Sequence, residues 1–158
     1  MPTYYAHSAE DRPESNWQTL KSHAENVAAL AAQFAEAFGA ADIARYTGLL
    51  HDLGKYSAPF QLRLAGSPQR VDHATAGAKE AIARWQLMGK LMAYCIAGHH
   101  AGLANGSGEG KGRSTLQERL AAEVPPLNAV WQTEIPLPEH IAAPPLKTNP
   151  KYRGFAQA

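Results

Sequence analysis

The chain holds a single cysteine, Cys95, among 158 residues. One thiol excludes an internal disulfide framework and fits a reducing compartment, so a cytoplasmic location is expected. No charged leader precedes an apolar run, which excludes a secretory signal as written. No apolar stretch is long enough to span a bilayer, so no membrane partner is expected. Net charge is nearly absent: 15 basic and 14 acidic side chains leave +1. A polyanion would therefore need a local patch or a bound cation to be attracted. Aspartate is also scarce, and none follows Asp72. Alternating strand patterns and internal repeats are missing.

What the chain does have is histidine, seven residues in all. A length of 158 residues suits one domain with a real core. Ser15 or Asn16 is expected to cap a helix starting near Trp17. Trp17, Leu20, His23, Val27, Leu30, Ala31, Phe34 and Phe38 recur at helical spacing, which predicts a buried stripe carrying His23. A second helix, from about Ala41 to Leu53, has little polar surface and reads as central. Gly54 stops it, and Pro59 opens a short helix to about Ala65. Asp72 is expected to cap a helix from His73 to Met88. Gly89 separates it from a helix over Lys90–Ala97, which ends at Gly98-His99-His100.

Residues 101–114 hold five of the 13 glycines and read as a loop, followed by a short helix over Thr115–Glu123. Residues 124–150 hold seven of the 11 prolines and show little periodicity. The expectation is an all-α domain over residues 1–123 with a Pro-rich, weakly structured segment over 124–158.

Each histidine has an ordinary reading when taken alone. His51-Asp52 could be a helix C-terminus with a favourable charge pattern. His23 could be a hydrogen-bonded core residue, and His73 a residue of a capped first turn. His99-His100 is harder to dismiss, because paired imidazoles at an abrupt helix end desolvate poorly without a partner. Taken together, four helix-associated segments each offer imidazole, and one adds a carboxylate. A helical bundle can gather such groups at one point. The set His23, His51, Asp52, His73, His99 and His100 is large enough for two divalent ions sharing Asp52. Imidazole-rich ligation favours Mn, Fe, Co or Ni over Mg. Two such ions could clamp a phosphodiester and hold the attacking oxygen in line. Lys55, one turn beyond Asp52, could hold a phosphate or stabilise the leaving group, or could be a solvated lysine. Gln61 and Arg63 could line the same mouth, though surface roles suit them better. Lys111 and Arg113 in the glycine-rich loop are candidate strand contacts by charge alone. Tyr4, Tyr5 and Trp131 could stack bases, though packing suits them better.

The order of motifs resembles the HD phosphohydrolase superfamily, and within it the N-terminal HD nuclease domain of the type I CRISPR-associated helicase-nuclease. The resemblance rests on Ala6-His7-Ser8, "WQTLKSH" ending at His23, "GLLHDLGKYSAPFQLRL" over 48–64, "VDHATAGA" over 71–78 and "IAGHHAGL" over 96–103. "LQERL" over 116–120 is a weaker echo. It implies an α-helical HD domain that cleaves single-stranded DNA with divalent transition metals. It implies His23, His51 and Asp52 on one metal, and Asp52, His73, His99 and His100 on the other. Asp52 and Lys55 would be the catalytic pair. The implied partners are single-stranded DNA, a helicase in the same or a separate polypeptide, and an RNA-guided surveillance complex. In that family a later aspartate, on a helix after the Pro-rich stretch, completes the first shell. This chain lacks it, and "KYRGFAQA" over 151–158 resembles the lead-in to that helix. The resemblance thus implies a shortened domain with some core surface exposed. Glu109, Glu118 or Glu134 could stand in for the carboxylate. Two other functions use the same residues: a nucleotide phosphohydrolase of the superfamily, and a non-enzymatic interaction module.

Overall fold

A computed structural model describes residues 2–9, 13–105 and 114–143. Among the described residues the architecture is all-α. Helix α1 spans Leu20–Ala35, α2 Ala41–Leu50, α3 Ala58–Leu64, α4 Thr75–Gly98, α5 Leu116–Ala121 and α6 Trp131–Glu134. Short 3-10 turns cover Glu14–Asn16, Glu36–Phe38 and Leu53–Tyr56.

The first helix starts later than its apolar pattern suggests. Thr19, not Ser15 or Asn16, is the N-cap, and its Oγ accepts from the Ser22 amide at 3.3 Å. The segment before it is extended and pairs Tyr5 with Thr19. The buried face of α1 also differs from the expected stripe. Leu20, Ala24, Ala28, Ala32 and Ala35 face inward, while Leu30, Phe34 and Phe38 are exposed. The reason is the closeness of α2. A Cβ on Gly48 would lie 2.8 Å from the Ala28 Cα, so only an alanine seam fits between these helices.

α2 ends at Leu50, three residues before the expected stop. His51 is its C-cap, Asp52 leaves helical geometry at φ −112°, and Leu53–Tyr56 form a buried 3-10 turn. Likewise His73 lies before α4 rather than in its first turn. Asp72 Oδ1 accepts from the Ala74 and Thr75 amides, both at 2.9 Å, and Oδ2 accepts from the Thr75 hydroxyl at 2.7 Å. Asp72 therefore does cap the helix, but from a position that leaves His73 in the extended approach.

The break expected at Gly89 falls at Gln86, whose φ of 49° bends α4 sharply. Gly89 sits where the second half of the helix folds back on the first. A Cβ there would overlap the Ala81 carbonyl oxygen. The glycine serves close approach and is not a stop signal.

The Pro-rich segment has little regular structure beyond α6, yet it packs against the core as far as Ile141. Trp131 and Ile135 belong to the same buried cluster as Leu50, Leu53, Tyr56, Met92 and Ile96. The Asn128 amide donates to the Tyr56 carbonyl at 3.0 Å, and the Tyr56 hydroxyl donates to Glu134 at 2.7 Å. The core thus extends past residue 123. Lys111, Arg113, Glu109 and residues 151–158 lie outside the described residues. No helix among the described residues is long and apolar enough to cross a membrane.

Candidate metal centre

Four pieces of backbone converge on one carboxylate. α1 contributes His23, the end of α2 contributes His51 and Asp52, the extended approach to α4 contributes His73, and the end of α4 contributes His99 and His100. The turn after Leu50 explains how adjacent residues share a target. On a continuous helix their side chains would point about 100° apart. Leaving helical geometry at Asp52 brings its Oδ2 to 3.1 Å from His51 Nε2.

His73 is placed by Gly54. The Gly54 amide donates to the His73 carbonyl at 3.0 Å, and a Cβ on Gly54 would lie 2.5 Å from the His73 Cα. Glycine is the residue that lets these two strands of backbone touch.

Asp52 is buried, and the imidazoles surround it. His23 Nε2 and His51 Nε2 each lie 3.1 Å from Oδ2. His73 Nε2 and His99 Nε2 each lie 3.5 Å from Oδ1. His23 and His51 meet at 3.2 Å, and His100 and His73 at 2.9 Å, Nε2 to Nε2 in both cases. The donor atoms form two groups: His23, His51 and Asp52, and Asp52, His73, His99 and His100. All six residues singled out in the sequence are thus brought together.

The chemistry of this donor set fits cations. His51 Nδ1 lies 2.7 Å from the Gly48 carbonyl, and His99 Nδ1 lies 2.7 Å from the Ile96 carbonyl. A neutral ring must carry its proton on Nδ1 to make that bond, leaving a bare lone pair on Nε2. Those lone pairs point at a carboxylate, an arrangement that is repulsive without a positive charge between them. Asp52 Oδ1 is buried and has no hydrogen-bond partner. Two donors each ~2.1 Å from one ion lie roughly 3.0–3.4 Å apart, close to the spacings seen here. Both groups therefore suit divalent transition metals, with Asp52 common to both.

In the metal-free protein burial pushes the Asp52 carboxyl up, but the His23, His51 and His99 rings outweigh it whenever they take up a second proton on Nε2, the place a cation would otherwise fill, and hold the group well below the usual carboxylate range. Burial lowers His73 to about 4. Burial also lowers His99, yet the nearby Asp52 carboxylate and the Ile96 carbonyl favour its protonated form and raise it overall. His100 is lowered, first by burial and then by the charge of His99.

Lys55 is buried rather than open to the mouth. Its ammonium donates to Asp52 Oδ2 at 2.9 Å and to the Ala6 carbonyl at 3.0 Å, with the Phe60 ring 5.3 Å away. Its contacts are those of a countercharge held against Asp52. Gln61 also lies away from the mouth. It bonds both the amide and the carbonyl of Tyr5 at 3.1 Å and the Lys55 carbonyl at 2.8 Å. Arg63 is a surface residue bonded to the Gln69 carbonyl. Tyr4 packs on Tyr56, Tyr5 on Trp17, and Trp131 is buried. The glutamates considered as substitute ligands are engaged elsewhere: Glu118 closes a capping box with Thr115, and Glu134 accepts from Tyr56. An apolar groove of about 620 Å³, lined by Val27, Phe38, Ile43, Leu91 and Met92, reaches His51 and His99 from the side. Periodicity did not reveal it, because the pattern assigned Phe38 to the core.

One residue near the centre carried no role in the sequence. His7 lies edge-on to His23, with ring centroids 4.9 Å apart. The signal was the Ala6-His7-Ser8 stretch, but nothing in its spacing tied it to the other histidines.

No curated protein matches the chain. The family model of the HD domain matches residues 20–134, which covers every donor of both groups. With a histidine-aspartate pair at the heart of the matched region, the chain belongs to the HD domain family.

Proposed function

We propose that the chain is a metal-dependent phosphohydrolase acting on phosphoesters of the nucleotide type. The observation that carries this is two imidazole groups sharing one buried carboxylate. Divalent ions, when bound, would supply positive charge to the phosphoryl oxygens and lower the pKa of a water molecule. The remaining work belongs to the chain. Asp52 lies between the two donor groups and would fix their separation. Lys55 holds Asp52 from the protein side, leaving Oδ1 toward His73 and His99. The Nδ1 bonds of His51 and His99 lock each ring in the tautomer that presents Nε2. His99 and His100 are the more exposed donors, so substrate would approach from their side.

A narrower reading, cleavage of single-stranded DNA in RNA-guided antiviral interference, is supported by the resemblance of the five motif stretches. A helicase and a surveillance complex would then be its partners. The family match supports the broader reading.

The test compares the chain with Asp52→Ala, each loaded with Mn, Co or Ni. Substrates would be bis(p-nitrophenyl) phosphate, a nucleotide panel and a single-stranded oligonucleotide. Loss of the shared ligand should cost more than the ~10–100-fold typical of residues that merely support a ligand. Equal activity of the two proteins, or inactivity on every substrate with metal demonstrably bound, rejects the catalytic reading. The substrate that turns over separates nucleotide from DNA.

A further inference from the structure

We propose that His7 is a substrate-binding residue that hydrogen-bonds a phosphoryl oxygen beside the His23–His51–Asp52 group. This inference rests on the phosphohydrolase reading of that centre.

Its basis is the way the chain holds the three residues before His7. The Tyr4 carbonyl accepts from the Leu20 amide at 2.7 Å. The Tyr5 amide donates to Gln61 Oε1, and the Tyr5 carbonyl accepts from Gln61 Nε2, both at 3.1 Å. The Ala6 amide donates to the Gln18 carbonyl at 3.0 Å, and the Ala6 carbonyl accepts from Lys55 at 3.0 Å. Five consecutive backbone groups are thus fixed in a non-helical strap. Ala6 is fully buried, and the chain then emerges so that the next side chain, His7, is exposed beside His23.

Two of these anchors are unusual for a strap that only covers surface. The Lys55 ammonium that grips Ala6 is the one that grips Asp52. The Gln61 side chain that grips Tyr5 also bonds the Lys55 carbonyl. The position of His7 is therefore tied to the position of the shared carboxylate. Burying an ammonium is costly unless it is fully paired, and here one of its partners is the strap.

His7 stands just outside both donor groups. It is too far to join the ligand cluster and close enough to touch its edge. A group at that distance meets what the ions would hold. Imidazole carries at least one N–H in either protonation state, so it can donate to an anionic oxygen without a change of charge. The charges of Lys55, His23 and Asp52 already reach it.

The experiment compares the full chain with His7→Ala and His7→Gln, both loaded with Mn. Three readings are taken: metal content by mass spectrometry, inorganic phosphate affinity by calorimetry, and kcat and KM on bis(p-nitrophenyl) phosphate. His7→Ala should keep the wild-type metal content. It should weaken phosphate binding and raise KM by ~10-fold, the scale of one hydrogen bond to a charged group, with kcat little changed. His7→Gln, which keeps a donor, should recover part of the loss. Loss of a metal ion in His7→Ala would make His7 a ligand and overturn the proposal. Unchanged phosphate affinity would overturn it too. A chain that binds phosphate through His7 yet hydrolyses nothing would sink the phosphohydrolase reading and leave the binding role standing.

Discussion

The two donor groups around Asp52 are built differently. The first, His23, His51 and Asp52, has three donors and faces the buried side, where Lys55 and the strap enclose it. The second, Asp52, His73, His99 and His100, has four and includes the exposed His100. The shared carboxylate divides its oxygens accordingly. Oδ2 meets His23, His51 and Lys55, while Oδ1 faces His73 and His99 and is otherwise unpaired. A group short of one donor depends on every member; a group with a fourth can lose one.

That asymmetry predicts unequal responses to deletion. His23→Ala leaves the first group two donors, and His100→Ala leaves the second three. His23→Ala should lower the bound transition metal from two ions to one and abolish most hydrolysis. His100→Ala should keep two ions, with affinity for the weaker one reduced by at least ~10-fold. Equal metal loss in both variants would break the comparison.

A second prediction acts on the second group without touching a ligand. Gly54→Ala puts a methyl group against the His73 backbone, where the nearest atoms lie 2.5 Å from the added carbon. The approach to α4 must move, and His73 moves with it. The expected cost is ~1–3 kcal/mol of stability and a second-group metal affinity lowered by ~10–100-fold. The first group should bind normally. Competition titration with a chelator would reveal two affinities, only one of them changed. A variant with both affinities intact removes Gly54 from the argument.

These contrasts also show which parts of the molecule were legible beforehand. Residue type and order indicated the donor set, because six metal-suited side chains near helix ends are hard to assemble otherwise. The all-α class, the approximate places of the first three helices and the cap at Asp72 followed from local chemistry. Three things did not. The alanine face of α1 was hidden, since periodicity favours large residues while the α1–α2 spacing selects small ones. The bend at Gln86 has no local sequence signal, because its strain is set by how α4 folds back. The link between Lys55 and Ala6 joins residues 49 apart, and no window of sequence contains it. His7 was missed for the same reason.

The smallest expected effect concerns acid. In the metal-free protein burial lowers His73 to about 4, against about 6.5 when unfolded. A depressed folded value means that the unfolded chain binds the proton first. The stability tied to a neutral His73 is therefore present above about pH 6.5 and is lost as pH falls toward 4. His99 runs the other way. Its raised value adds stability as pH drops, and that gain is complete only below about 6.5. Asp52 contributes stability that is present above the ordinary carboxylate value near 3.8 and is lost as pH falls through that value and below. Metal-free protein should thus show its highest Tm near neutral pH and lose stability between 6.5 and 4. The His73 share is about 1–2 kcal/mol once screening of its partly exposed ring is allowed for, or ~3–6 °C. Saturating Mn should raise the whole curve and steepen it, because protons and metal compete for the same Nε2 atoms. His73→Gln should flatten the metal-free curve in that window alone. A slope between pH 6.5 and 4 unaffected by this substitution would place the acid sensitivity outside the second group, and its four donors would no longer be the pH-sensitive half of the centre.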